Sequence, residues 1–590
     1  MNSLDRRTDF ILFSSLIPAA LVLAMCLATP AVFAQQSAAD FYKRGVQAYG
    51  RGDDASALSS FQQASKLDPN NPEYQNAVGQ ALFKQGRPAE AIPYFRHALK
   101  LRPDLAVIHA YLGQALLADH QADAAISEYR IAVKMAPNEV EANRGLGRSL
   151  STKGDLDGAI AVYRSALETN SQSAPLHDDL GSLLAQKKDF VAAQQQFEQA
   201  LKLDRQYEPA HFHLGVALLS QDKDPEAMLS LQEAVRLAPN DVAAHFFLGR
   251  VLETLGDNAN ALQNYKDAAQ RSSEFPGLQE RLGLTAQRVG EMPTAISAFQ
   301  KAIAQSPQNP DLHNDLGLAF MQAGDGEGAI REFNQALNLK PEDVGYLGNL
   351  GAAYLQLSEF DNAVDNFRKA LQIAPANASL HHDLALTLKL KDDLAGAAAE
   401  LREAIRLDPK LYDAHYTLGV TLWQQGEFPA AVEELEAALA QKPDYAEAYY
   451  TLGTVYKQMN KPRESAEALR SALKIQPDFA GAHTTLAAVL RQLGDTAGAS
   501  EEARIGAELA KKKTGMQAAV FATNSGIRLL NAGDLDGAVS QFRRATESAP
   551  DYAMGHFQLA TALSRQGKRD EADAEFSKAA TLDPHLKTQK

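Results

Sequence analysis

One small residue recurs along this 590-residue chain at a fixed interval of 34 positions. Gly45 is followed at that interval by Gly79, Gly113, Gly147, Gly181, Gly215, Gly249, Gly283, Gly317, Gly351, Ala385, Gly419, Gly453 and Ala487. After a slip of five residues the series resumes at Gly526 and Ala560, which makes sixteen copies. A strict period of this size specifies a stacked array, in which each unit buries its apolar face only against its neighbours. The copies occupy nearly the whole chain and leave little sequence for a separate catalytic domain.

The copies agree at further positions. Twelve residues after the alignment residue, fifteen of sixteen carry Ala, as at Ala57, Ala91 and Ala125, with Ser465 the exception. Seven residues later Ala recurs in fifteen, as at Ala64 and Ala98, with Gly506 the exception. A large apolar residue lies between the two, as at Phe61, Phe95, Tyr129 and Leu231; only Ala503 fails. Pro follows the second Ala by five residues in twelve copies, from Pro69 to Pro584. Small and large apolar residues are spaced by three and four, the helical period. A midway Gly followed by Asp, as in Gly154-Asp155 and Gly324-Asp325, suits the left-handed close of one helix and the N-cap of the next. Pro then prevents the second helix from continuing. Each copy is expected to be helix–turn–helix, with Gly or Ala at the alignment position to let the two helices approach.

These residues resemble the tetratricopeptide repeat family, whose 34-residue unit carries Leu-Gly, Ala, aromatic, Ala and Pro at these spacings. The resemblance implies an all-α fold, a right-handed superhelical solenoid of helix pairs with a concave groove for peptides or protein surfaces. Fourteen repeats are expected over 38–513, a joint over 514–518, two further repeats over 519–586 and a tail over 587–590. Around the joint the pattern decays: Ala503, Gly506 and Lys511 replace aromatic, Ala and Pro, and Lys511-Lys512-Lys513 follows. This reads as an extended helix and an irregular joint; the alternative is a tolerated insertion with unchanged stacking. In the last copy Asp573 replaces the usual apolar residue, so the final helix is expected to act as its own polar cap, or else to dock onto another chain.

The N-terminus is a separate element. Arg6 and Arg7 precede an apolar stretch from Phe10 to about Ala28, then Thr29-Pro30-Ala31-Val32-Phe33-Ala34 and Gln35-Gln36. Charge, apolar segment, breaker and small residue form a secretory signal over 1–34, cut after Ala34; an uncleaved anchor is the alternative. The style is bacterial, which places the array in the periplasm or outside the cell. Leu23-Ala24-Met25-Cys26 is a faint match to a lipoprotein site, and Arg6-Arg7 a weak one to a twin-arginine signal. Cys26 is the only Cys, so a chain cut after Ala34 has neither disulfides nor thiolate metal sites. Net charge is −15, which argues against nucleic acid or an anionic membrane as the partner and is otherwise a solubility feature.

His stands four before the alignment residue in nine copies: His109, His177, His211, His245, His313, His381, His415, His483 and His556. One His per repeat, about 10 Å from the next, cannot converge on a metal ion, so the row is read as packing. No phosphate loop or zinc-protease motif occurs. Asp155-Leu156-Asp157-Gly158 and Asp534-Leu535-Asp536-Gly537 faintly resemble calcium loops but lack the later Glu and the loop length. The expectation is a non-enzyme with no cofactor and no metal site.

In the family the groove is lined by the first helix, at three before and one and four after the alignment residue. Transferred to this chain, those positions bring forward Phe212, Val216, Leu219 and Phe246, then Tyr416, Val420, Trp423 and Tyr450, with Arg144, Arg148 and Arg250 as basic contacts. Aromatic residues on an open groove are natural anchors; the alternative is that some pack within the array. The pairs Asn76/Gln80, Arg144/Arg148, Asp178/Ser182 and Phe212/Val216 do not form the family's carboxylate clamp, and Asn349 and Asn524 alone do not form an asparagine ladder. The expected function is a scaffold for protein or peptide partners, with membrane contact only through an uncleaved N-terminus. The alternative is an accessory subunit of an envelope, secretion or polysaccharide-export enzyme complex, docking through its C-terminal end.

Overall fold

The computed structural model describes residues 37–586; the expected signal at 1–34 and the tail at 587–590 lie outside the described residues. All regular structure among the described residues is helical: 31 α-helices, ending with a 3-10 turn at Pro584–Leu586. The chain forms two compact units, Met1–Asp257 and Asn258–Lys590. Within each unit consecutive helices pack as A and B partners, and each B helix packs on the A helix that follows. No described helix is long and apolar enough to cross a membrane.

Three packing positions hold each pair together. In the ninth repeat the A helix is Pro310–Ala323 and the B helix Gly326–Leu339. Ala329, Phe333 and Ala336 line the B helix and are fully buried. The Phe333 ring lies flat over Gly317 of the A helix; a Cβ there would fall 2.6 Å from the ring. The same geometry recurs at Gly79 over Phe95, Gly181 over Phe197 and Gly351 over Phe367, at 2.6 to 2.8 Å. Gly215, Gly419 and Gly453 meet Leu231, Leu435 and Leu469 instead, at 2.5 to 2.7 Å, so Gly makes room for a large side chain of the B helix. Three copies have Ala at this position, with Leu401, Ala503 and Phe576 sixteen residues after Ala385, Ala487 and Ala560. The Ser465 exception is also explained: its buried hydroxyl donates to the Gly453 carbonyl at 2.6 Å.

The A-to-B turn is the same in every copy. The residue seven after the alignment residue has positive φ in all sixteen, from Gly52 to Gly567. Ten of these are Gly, and six are His120, Lys188, Asp222, Ser358, Asp392 and Asn460, with φ between 56° and 64°. Asp follows as N-cap in several copies. Asp155 accepts from the Gly158 amide at 2.8 Å and Asp325 from Gly328 at 2.8 Å. The faint calcium motifs are these caps, and Asp157 is held by Lys187 at 2.5 Å.

The histidine row ties three segments together. His381 Nδ1 lies 2.6 Å from Glu400 on the B helix, and Nε2 lies 3.1 Å from the Pro375 carbonyl in the preceding turn. His109, His415, His483 and His556 repeat both contacts with Glu128, Glu434, Glu502 and Glu575 and with Pro103, Pro409, Pro477 and Pro550. In three of the seven copies without His an amide takes over the turn: Gln75 donates to Pro69, Asn143 to Pro137 and Gln279 to Ser273. The position is a polar staple. A buried acceptor left without its donor costs about 1–3 kcal/mol.

The five-residue slip is absorbed as helix. A single 36-residue helix, Thr496–Asn531, serves as the B helix of the fourteenth repeat and the A helix of the fifteenth. With Lys511 in place of Pro nothing stops the helix there, and residues 514–518 lie inside it. Gly515 faces the Ser548 carbonyl so closely that a Cβ would collide with it. In the last B helix, Arg569–Leu582, only Ala572 and Ala579 are buried and Asp573 is exposed.

Candidate partner-binding surface

Residues three before, one after and four after the alignment residue form one stripe of each A helix, because i, i+4 and i+7 share a face. Side chains on neighbouring A helices meet across this face with a spacing of 35, one more than the repeat. Asp178 meets His213 at 2.8 Å, Asn349 donates to Asn314 at 2.8 Å, and Trp423 Nε1 donates to Gln458 at 2.7 Å. The residue three before alignment in one copy thus faces the residue two before alignment in the next.

In the unit Met1–Asp257 this offset changes the expected site. Phe212, Val216 and Leu219 are half-buried on the stripe. Phe246 is only 8% exposed and belongs to the core, which corrects its assignment as an open anchor. Its neighbour Phe247 takes the surface role, edge-on to Phe212 at 5.7 Å, with the exposed Arg250 guanidinium 5.5 Å from its ring centre. Arg144 is not an open basic contact. Its guanidinium grips Asp179 through two bonds, 2.5 and 3.3 Å, and is 15% exposed. Burial alone would lower its pKa, but Asp179 raises it, so the charge is retained and already matched. Arg148 is more open and approaches the same carboxylate at 3.6 Å.

In the unit Asn258–Lys590 the expected aromatic residues are half-buried and joined by others. Tyr416 packs on Tyr445 at 4.8 Å, and Tyr450 on Phe479 at 4.7 Å. Tyr445 also meets Tyr412 edge-on at 5.8 Å, and Lys442 lies over both rings at 4.7 and 4.8 Å. Val420 and Trp423 complete the stripe, each half-buried. Sequence reasoning missed Tyr445 and Phe479 because they precede their A helices. Their signal is an aromatic residue two after the turn Pro, in Pro443-Asp444-Tyr445 and Pro477-Asp478-Phe479. Among the described residues no three His, Cys, Asp or Glu side chains gather as a metal site.

Comparison with known proteins recovers the repeat in the sequence. Tetratricopeptide repeat models match residues 42–106, 112–175, 179–242, 229–276 and 523–586, and further ones match 286–353, 346–377 and 446–479. A TPR repeat model matches 388–426 and 422–460. The chain belongs to the tetratricopeptide repeat family. Similar solved structures include YrrB, described as a TPR protein with an unusual peptide-binding site. It is 26% identical, over 32% of this chain and 97% of that one, at a TM-score of 0.28. A tetratricopeptide repeat protein from Parabacteroides merdae is 17% identical, over 42% and 99%, at 0.36. The APC/C hetero-tetramer Cut9–Hcn1 is 13% identical, over 89% and 96%, at 0.33. No curated protein matches the chain.

Proposed function

We propose that this tetratricopeptide repeat protein is a non-catalytic scaffold outside the cytoplasmic membrane, binding protein or peptide partners along the A-helix face. The observation that carries the reading is the run of half-buried aromatic side chains on that face, Tyr416, Tyr445, Tyr450, Phe479 and Trp423. Rings of this kind offer large contact area at little entropic cost, and one polar edge for hydrogen bonding. The location rests on the charge, apolar stretch and Ala34 cut site of the N-terminus.

Crosslinking in the native envelope, with mass spectrometry of the crosslinked peptides, tests the scaffold reading. Crosslinks from one protein to the A helices around Phe212 or Trp423 support it. Crosslinks confined to the last two repeats sink the groove assignment in favour of an accessory subunit docked by its end. N-terminal sequencing of the mature chain tests export: a start at Gln35 supports it, and an intact Met1 in a soluble cytoplasmic fraction refutes it.

A further inference from the structure

Four residues after the alignment residue, in the last turn of the A helix, most copies carry an apolar or small side chain, such as Phe83, Leu117, Leu219, Met321 and Leu355. Basic residues occupy this position in only three of sixteen copies, and the three fall together: Lys389, Lys457 and Arg491, in the eleventh, thirteenth and fourteenth repeats. Trp423 fills the twelfth. A cation in the last turn complements the helix dipole. That does not account for the clustering, since the remaining copies hold neutral side chains there, or the acid Glu253.

None of the three cations forms an ion pair among the described residues, whereas the nearby Lys391 pairs with Asp361. Lys389 is half-buried, and burial with no opposing carboxylate lowers its pKa. In a chain of net charge −15, three neighbouring cations stand without counter-ions beside the one Trp. Tyr416 and Tyr450 lie seven residues before Trp423 and Lys457, on the same stripe.

The spacing defines the ligand. The A helices of these repeats touch directly, through His382 Nε2 and Thr417 Oγ1 at 3.3 Å and through Trp423 and Gln458 at 2.7 Å. Helices in contact lie about 8–10 Å apart. A polyproline II segment rises 3.1 Å per residue and returns to the same side every third residue, a step of about 9.3 Å. Such a segment lying across the A helices presents one side chain to each repeat.

We infer that the A-helix face of repeats eleven to fourteen binds an acidic polyproline II segment of a partner protein, with an apolar residue on Trp423 and carboxylates at three-residue steps on Lys389, Lys457 and Arg491. The inference rests on the scaffold reading and adds the chemistry of the ligand. Proline rings of the segment pack on Tyr416 and Tyr450, as Pro-rich segments do on aromatic-lined grooves.

Trp423 is the only Trp, so its emission reports on this site alone. The probes are acetyl-Glu-Pro-Pro-Leu-Pro-Pro-Glu-Pro-Pro-Glu-amide and the same residues in reverse order, added to the intact chain. Controls are the Gln-for-Glu peptide, a peptide with Glu at four-residue steps, and oligothymidylate. One probe direction should shift Trp423 emission and bind at least about tenfold more tightly than either control peptide. Binding should weaken as salt rises, because the charges are partly exposed. Lys457→Glu and Arg491→Glu, both at exposed positions, should each weaken it about tenfold with the helical circular dichroism unchanged. Unmoved Trp423 emission, equal binding of the Gln peptide, or equal binding of oligothymidylate overturns the inference. A partner crosslinked elsewhere on the A helices would overturn it too while leaving the scaffold reading intact.

Discussion

Gly317→Ala in the ninth repeat separates packing from helix propensity. Gly317 lies inside a helix, where replacing Gly by Ala normally gains about 0.8–1.0 kcal/mol. Here the added Cβ would sit 2.6, 2.8 and 2.9 Å from three atoms of the Phe333 ring. Carbon atoms prefer separations of about 3.5–4.0 Å, so the ring must retreat by more than about half an ångström. It has nowhere to go: Phe333 is fully buried among Ala329, Leu350 and Ala353. Overpacking of this kind costs about 1–3 kcal/mol, which exceeds the propensity gain. The net effect is a loss of about 1 kcal/mol, seen as roughly fivefold faster amide exchange in Pro310–Ala323 and Gly326–Leu339. In a Phe333→Ala background, where no large side chain meets the new Cβ, the same change should be favourable, as in the fourteenth copy, which pairs Ala487 with Ala503. The double-mutant cycle should give a coupling of about 1 kcal/mol or more. Slower exchange in the single variant, or additive effects in the cycle, would refute the ring-over-glycine account.

Four further outcomes are expected. Lys188→Gly relieves a left-handed residue at φ 64° and should raise the urea midpoint of unfolding, by an amount near 0.5–1 kcal/mol after the entropy of the new Gly is subtracted. His381→Leu strips Glu400 and the Pro375 carbonyl of their partner and should cost about 1–3 kcal/mol, while His381→Gln should cost less, as Gln75 already serves that turn. For His213, burial alone would lower the pKa, but Asp178, backed by Asp179 and Glu208, raises it. Its stabilising share is complete below about pH 6.5 and lost as pH rises through the raised folded value, so exchange in Glu208–Leu219, corrected for intrinsic rates, should quicken over that window, and His213→Gln should flatten the trend. Burial, partly offset by Asn314, pushes Asp315 up to about 6, so its charge weakens the fold as pH rises from about 4 through 6; Asp315→Asn should raise stability above that range, measured by chemical denaturation.

The sequence made the helix pairs legible because packing repeats at the same register in every copy. Ala329, Phe333 and Ala336 return 34 residues later as Ala363, Phe367 and Ala370, and each set is buried. The surface was less legible because its contacts cross between copies with a spacing of 35. Phe212 meets Phe247, so reading one position per repeat selected the buried Phe246 instead. Arg144 looked like an open cation because its partner Asp179 lies one repeat away at the same offset. The His staples carried a readable signal that periodicity alone did not exploit: Glu128, Glu332, Glu400, Glu434, Glu502 and Glu575 each follow their His by 19.

The staple and the ring-over-glycine contact tie an A helix to its own B helix and to the turn before it, and packed helices lie about 8–10 Å apart. Recognition on such a frame is limited to about one ligand side chain per repeat, at the spacing of packed helices. No single repeat can then be specific, because one exposed ion pair contributes only about 0–1 kcal/mol. Discrimination has to come from the order of side chains across consecutive repeats. The run Lys389, Trp423, Lys457 and Arg491 is such an order, set on a frame whose other positions are committed to packing. Moving a cation by three repeats, from the thirteenth to the tenth, as in Lys457→Thr with Leu355→Lys, should therefore change which spacing of acidic residues binds while leaving the fold unchanged. Unchanged ligand preference in that variant would show that the groove reads total charge rather than order.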